Sequence, residues 1–276
     1  MLTRVSDDSV GGRLSVEMPA NLFKRALAAG QVQVGVWSSL SSPVAAEIVA
    51  GSGFDWVLLD TEHSPSELPT VLQQLHAVQG TATSAVVRPA WNDPVMFKRL
   101  LDIGVQSLLV PFVQNADEAR RAVAATRYPP QGIRGVATTT RATRYGRVDG
   151  YLARAQDEIC VIVQIETRAA LAVLEAIAGV DGVDGLFIGP GDLAADMGHL
   201  GDNAHPEVRA AIDDAIRRIR RTGKAAGMLA PVEADARHWL DLGCNMLAVG
   251  SDVGLLARQA DALAEKFKCT REGAHP

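Results

Sequence analysis

Basic residues are in slight deficit: 27 Lys and Arg stand against 32 Asp and Glu, a net charge of −5. Aromatic residues make up only 5 % of the chain. Without a basic excess or a supply of stacking side chains, nucleic acid and anionic membrane are poor partners. Cysteine is scarce as well. Cys160, Cys244 and Cys269 form no C-x-x-C pair and are odd in number, which excludes a disulfide framework. Cys160 and Cys244 sit in or beside apolar runs and are expected as free buried thiols, in keeping with a reducing cytoplasm. No apolar run approaches the roughly 18 to 20 residues of a membrane span. The opening MLTRVSDDSVGGRLSVEM has no continuous apolar core of a secretory signal. There is no H-x-x-x-H pair, so zinc-hydrolase chemistry has no anchor, and no G-x-G-x-x-G follows the first strand-like run.

What is abundant is apolar sequence: 47 % of 276 residues, enough for one large core. It falls into eight apolar runs, at 32–37, 55–60, 83–89, 106–112, 159–166, 185–189, 225–230 and 246–250. Each is followed by a helix-like stretch, at 43–51, 66–79, 94–103, 116–127, 168–178, 206–222, 231–242 and 252–266. Runs that are apolar throughout, not alternating, mark strands covered on both faces and hence parallel. The helical stretches show i, i+3, i+4 spacing, as in Ile212, Ala215, Ile216 and Ile219, with the arginines of RRIRR (217–221) on a solvated face. Pro94, Pro206 and Pro231 mark helix starts and Gly243 a helix end. The pattern predicts an α/β chain folded as a (β/α)₈ TIM barrel over 19–266, with a flexible extension at 1–18 and a flexible tail at 267–276. The competing architecture is an open doubly wound sheet, which the missing glycine fingerprint disfavours.

The chemistry gathers where the runs end. Glu166 follows ICVIVQI and Asp192 follows GLFIGPG. Acids seldom border an apolar run unless paired or bound. At the rim of a parallel sheet they offer hard oxygen ligands for Mg²⁺ or Mn²⁺; the plain alternative is a surface ion pair. Trp37 ends the first strand, Asp60, Glu62 and His63 the second, Arg88 the third, Gln164 the fifth, Gly189 and Pro190 the sixth, and Leu229 the seventh. Arg88 suits a carboxylate or enolate oxygen, or else a structural ion pair. His63, in a polar rim loop, suits proton transfer, although a lone histidine is as readily structural. Asp102, near a helix end, reads by default as a solvated residue. The GPGD turn is expected to open a short helix whose free N–H groups favour a substrate carboxylate, and VGSD to do the same for a phosphate. Two long connections, 128–158 and 190–205, are expected at the strand C-termini and therefore beside the site. No lysine stands at a strand end: Lys24, Lys98, Lys224, Lys266 and Lys268 are elsewhere, which leaves no rim amine for Schiff-base chemistry.

GVW, FDWVLLDTEHSP, VVRP, QIETR and GPGDLAADMG, in this order over roughly residues 20–260, resemble the HpcH/HpaI aldolase family. These are class II, metal-dependent pyruvate aldolases of the 4-hydroxy-2-oxo-heptane-1,7-dioate aldolase type, in the phosphoenolpyruvate/pyruvate superfamily of barrels. The resemblance implies reversible cleavage of 4-hydroxy-2-keto acids to pyruvate, or hydroxypyruvate, and an aldehyde through a metal-stabilised enolate. It implies a divalent cation, Mg²⁺, Mn²⁺ or Co²⁺, on Glu166 and Asp192. It places Arg88 on the keto oxygen and His63 in the acid–base machinery, with Asp102 as its partner. It makes Gly189, Pro190, Gly191 and Asp192 the seat of the substrate carboxylate, Trp37 and Gln164 pocket walls, and Leu229 a contact for the second substrate. It further implies a swapped eighth helix and a homo-oligomer, a hexamer built as a trimer of dimers. Thr61 and Gly191 depart from the residues usual in the family, which bears on the aldehyde accepted. A neighbouring class, the citrate-lyase-like acyl-CoA lyases of malyl-CoA type, would need basic residues at the mouth, for which Arg134, Arg141, Arg144 and Arg147 are the candidates.

Overall fold

The computed structural model describes residues 16–272. Eight parallel strands close into a barrel in chain order: β1 Gln33–Ser38, β2 Trp56–Asp60, β3 Ser84–Arg88, β4 Ser107–Val110, β5 Cys160–Ile165, β6 Gly185–Ile188, β7 Ala225–Leu229 and β8 Met246–Ser251. Around them stand α1 Leu22–Ala28, α2 Pro43–Ala50, α3 Leu68–Val78, α4 Pro94–Asp102, α5 Ala116–Thr126, α6 Tyr151–Arg154, α7 Arg168–Ala172, α8 Leu174–Ala178, α9 Pro190–Asp196, α10 Pro206–Arg221, α11 Glu233–Asp241 and α12 Asp252–Glu272.

Strand side chains alternate between two cores. One phase, with Trp37, Trp56, Leu58, Val86, Leu109, Ile162, Phe187, Met246 and Ala248, fills the barrel interior. The other, with Val57, Leu59, Val87, Leu108, Val163, Leu186 and Leu247, meets the helices. That is why the runs are apolar throughout. Helix α10 shows the outer layer's logic. Val208, Ile212, Ala215, Ile216 and Ile219 are buried, each large one contributing about 1.5–3 kcal/mol over exposure. The arginines turn outward, and Arg218 forks onto Glu175 at 2.7 Å.

The bottom of the barrel is plugged by α1, a seven-residue helix too short for its periodicity to be read in the sequence. Asn21 caps it and reaches Gln106 O, Ser107 Oγ and Glu158 O at 3.0–3.1 Å. Phe23 then packs on Trp56 with ring centroids 5.8 Å apart. Trp56 can lie across the barrel because β1 carries Gly35 there; a Cβ on Gly35 would stand 2.2 Å from the indole.

Three expectations are corrected. The predicted helix 168–178 is two helices, α7 and α8, separated at Val173 (φ −117°, ψ 22°). The connection 128–158 follows a helix, α5, and precedes β5, so it lies on the N-terminal face of the barrel, away from the strand C-termini. There Ala142 N donates to Asp102 O at 3.1 Å and Arg141 donates to Ile103 O at 2.7 Å. At the other end, α12 continues to Glu272, past the predicted end at 266. Val16 donates to Arg147 O; residues 1–15 and 273–276 of the two expected flexible ends lie outside the described residues. Among the described residues no helix is long and apolar enough to cross a membrane. Cys160 and Cys244 are free and buried.

Candidate active site

The interior phase of the strands decides which side chains reach the C-terminal mouth. Counting up by twos, Trp56 and Leu58 lead to Asp60, Val86 leads to Arg88, Ile162 to Gln164 and Glu166, and Phe187 to Gly189. On β2 and β3 the apolar interior gives way to charge at the next interior position, and on β5 to an amide and then a charge.

Arg88 is the hub. Its Nε donates to Asp60 Oδ1 at 2.9 Å and its Nη2 to Asp60 Oδ2 at 2.7 Å, a bidentate pair. Its Nη1 lies 2.8 Å from Glu62 Oε2, and its guanidinium stacks 5.0 Å from the Trp37 ring centroid. Trp37 Nε1 in turn donates to Asp60 Oδ2 at 3.2 Å. Burial raises the Asp60 carboxyl, but the hydrogen bonds and charge of Arg88 outweigh it and hold it below the usual range. Arg88 is therefore ion-paired to two carboxylates, with two of its five N–H groups left over from these contacts.

Glu166 stands in the opposite condition. It is 2 % exposed and its Oε1 has no hydrogen-bond partner. Burial first, then the charges of Asp192 and Glu62, push its carboxyl up to about 8, against the smaller pull of Arg88. Glu62 is also raised, by burial first, with Asp60 and Asp192 adding to it against Arg88 and His63. Three carboxylates thus feel one another while the nearest cation is already shared between Asp60 and Glu62. A buried carboxylate left in this state costs free energy unless a cation shares it. The oxygen-rich donor set, with Gln164 Oε1 also buried and unpartnered, fits a hard divalent ion.

Gly189, where β6 meets α9, explains how Glu166 fits. A Cβ there would stand 2.7 Å from Glu166 Cγ and 3.0 Å from its Oε1. Gly189→Ala is therefore expected to push Glu166 aside and to weaken Mn²⁺ binding about 10- to 100-fold, the range for groups that orient metal ligands. Calorimetric titration checks this.

Pro190 sits at the first position of α9, and Asp192 lies in its first turn. The expected short helix is present, starting at Pro190. Leu229 is half-buried at the end of β7 and packs against the interior cluster. His63 is exposed in the loop after β2, close enough to Glu62 for its charge to be felt. Thr61 continues the β2–β3 pairing, its Oγ1 donating to Arg88 O at 2.7 Å.

Asp102 stands away from the mouth within one chain. It ends α4, which runs down from the mouth, and so lies at the far face, where Arg134 Nη2 donates to its Oδ1 at 3.0 Å. Within one chain it does not meet His63. The four loop arginines share that face: Arg134 is fully buried over the Tyr128 ring at 4.5 Å, and Arg141 lines a cavity of about 320 Å³ with Met18, Gly104 and Tyr151. They do not ring the mouth, and the acyl-CoA reading loses the phosphate contacts it needed. The VGSD seat is corrected too. Its N–H groups are taken within the turn, Val253 N donating to Asp252 Oδ1 at 2.7 Å and Gly254 N to Ser251 Oγ at 3.0 Å, while Asp252 also accepts from Ser39 N at 2.8 Å and Leu40 N at 3.2 Å and so fastens the loop after β1 to β8.

Asp60 and Glu62 were visible as strand-end acids but had no role assigned; the interior phase of β2 was the signal for Asp60. The stack of Trp91 on Phe112, with centroids 5.8 Å apart, flanks the mouth after β3 and β4. No periodic pattern announced it, and Phe112 takes a positive φ of 53°, uncommon for a bulky residue.

A family model described as HpcH/HpaI aldolase/citrate lyase matches residues 33–259. The chain is 60 % identical over 252 residues to a pyruvate aldolase of Rhizobium etli, spanning 91 % of this chain and 99 % of that one. It is 58 % identical to a 4-hydroxy-2-oxo-heptane-1,7-dioate aldolase of Klebsiella pneumoniae, over 90 % of this chain and 94 % of that one. Among solved structures, an HpcH/HpaI aldolase/citrate lyase family protein from Burkholderia cenocepacia superposes with a TM-score of 0.87 at 37 % identity, covering 90 % of this chain and 100 % of that one. On residue order, barrel and match alike, the chain belongs to the HpcH/HpaI aldolase/citrate lyase family.

Proposed function

We propose that the protein is a divalent-metal-dependent aldolase that cleaves 4-hydroxy-2-keto acids to pyruvate, or hydroxypyruvate, and an aldehyde. The observation that carries this reading is Glu166: a buried, uncompensated carboxylate facing Asp192 beside a fixed guanidinium. Glu166 and Asp192 would hold the cation, with Mg²⁺, Mn²⁺ and Co²⁺ as the candidates. Bound there, it supplies Lewis-acid withdrawal of charge from the carboxylate and keto oxygens of the substrate.

The chain's own groups do the rest. Gly189, Pro190, Gly191 and Asp192 seat the substrate carboxylate, with the N–H groups of Gly191 and Asp192 as donors. Arg88, held by Asp60 and Glu62, donates to the keto oxygen and gains strength as negative charge develops on it. His63 accepts the proton of the 4-hydroxyl. The C3–C4 bond breaks, its electron pair passes to the three-carbon fragment as an enolate, and the aldehyde leaves past Leu229. A proton returned to C3 gives pyruvate. Trp37 and Gln164 wall the pocket. A retro-aldol screen of 4-hydroxy-2-keto acids, coupled to pyruvate detection, tests the reading. Activity is expected to disappear with EDTA and return with Mg²⁺, Mn²⁺ or Co²⁺. Turnover indifferent to the chelator would refute it.

The assembly we propose is a hexamer, a trimer of dimers, with α12 exchanged between partners. Support comes from α12 itself: every residue from Leu255 to Lys268 is exposed, although Leu255, Leu256 and Leu263 are apolar. In one chain α4 carries Asp102 to the face opposite the mouth, and we place its pairing with His63 between subunits. Leu255→Glu/Leu256→Glu should turn a hexameric sedimentation mass into that of a smaller species, and an unchanged mass would contradict the exchange. Two free buried thiols agree with a cytoplasmic setting.

A further inference from the structure

We propose that His199, His205 and Glu207 form a second divalent-cation site, of the borderline transition-metal type, in the connection between α9 and α10. The His199 and His205 rings stack with centroids 3.5 Å apart and planes 15° from parallel. His199 Nε2 lies 2.9 Å from Glu207 Oε2, and one ligand atom from each of the three residues lies within 4.8 Å of the other two.

The backbone fixes this meeting. Positive φ at Gly198 (88°) and Gly201 (81°) folds the connection back on itself. Asp202 N then donates to His199 O at 2.9 Å and His205 N to Asp202 O at 3.2 Å, which returns the chain to His199 just as α10 begins. His205 takes the N-cap of α10, accepting from Glu207 N at 3.3 Å, a position that Ser, Thr, Asn and Asp usually fill. A capping role alone needs no second imidazole stacked on the first, and a His–Glu hydrogen bond needs no third group.

Two imidazoles and a carboxylate suit Zn²⁺, Ni²⁺, Co²⁺ or Cu²⁺ better than they suit Mg²⁺ or Mn²⁺, the hardest of the candidates at the mouth. Ligands on a tetrahedral zinc lie roughly 3.3 Å apart and each nitrogen lone pair lies in its ring plane, so the three must draw together and the two rings must turn out of their stack. Glu207, with a side chain 70 % exposed, is free to do so. The fourth ligand is water, which makes the site a clamp on the loop that follows Asp192.

Tag-free wild-type protein titrated with Zn²⁺ by calorimetry is expected to take up two equivalents. Glu166→Gln/Asp192→Asn should keep the imidazole equivalent. His199→Gln should lose it, as should His205→Asn, which retains a capping oxygen. Co²⁺ at this site should give the visible absorption of imidazole-ligated tetrahedral cobalt, absent in both histidine variants, while circular dichroism reports their folding. Uptake of one equivalent, lost in the acid variant and kept in the histidine variants, would overturn the second site and leave the mouth site standing. Uptake unchanged in every variant would overturn it as adventitious binding.

Discussion

Glu166→Gln should cut turnover by orders of magnitude and at the same time make the metal-free protein more stable at pH 8. Activity is expected to fall on the order of 10³-fold, since a neutral amide neither holds the cation nor completes the charge pattern. The stability gain follows from the raised carboxyl. Its pKa is about 8 folded against 4.5 as the ordinary value. Between these limits the folded state binds more protons than the unfolded one, so stability is full below the lower value and declines as pH rises through the upper one. At roughly 1.4 kcal/mol per pH unit the loss reaches up to about 5 kcal/mol. Urea midpoints in EDTA at pH 5 and pH 8 should therefore diverge for the wild type and much less for Glu166→Gln. Mn²⁺ should restore the wild type at pH 8 and leave the variant unmoved.

Arg88→Ala carries the second large effect, and it should be a double loss. Asp60 is 1 % exposed, and Arg88 is the cation that offsets its burial, so removing Arg88 strands a buried charge at a cost of about 3–5 kcal/mol. Catalysis should fall about 10²- to 10³-fold with the donor to the developing enolate gone. The two losses separate in Asp60→Asn/Glu62→Gln/Arg88→Met, where neither ion-paired carboxylate of Arg88 is left unpaired. That variant should regain most of the thermal stability and none of the activity. Recovered turnover would show that Arg88 serves only to hold the fold. Arg88→Lys keeps the charge but cannot bridge both Asp60 oxygens and stack on Trp37, so it should lie between the wild type and alanine in both measurements.

The barrel was legible because both strand faces are buried, which makes each strand apolar throughout, and because each helix is amphipathic. The ends of β2, β3, β5 and β6 displayed their polar residues openly, so Arg88, Glu166 and Asp192 stood out before any coordinates. What did not show was the direction of approach. Asp102 and the arginines at 134–147 lie in segments whose distance from the mouth depends on whether they follow a strand or a helix. Assigning 128–158 to the strand side placed the four arginines at the wrong end. Asp60 was hidden for another reason: it closes an apolar strand as an ordinary strand-end acid would, and only its interior phase aims it at Arg88. The stacked pair of histidines depends on two left-handed glycines in a loop, a geometry that no periodicity encodes.

Crystals soaked with Mn²⁺ and pyruvate give the most direct measurement of the central claim. The account predicts manganese density bonded to oxygens of both Glu166 and Asp192, with the pyruvate keto oxygen within about 2.7–2.9 Å of an Arg88 nitrogen. Those two side chains standing apart, with no ion between them at saturating Mn²⁺, would contradict it.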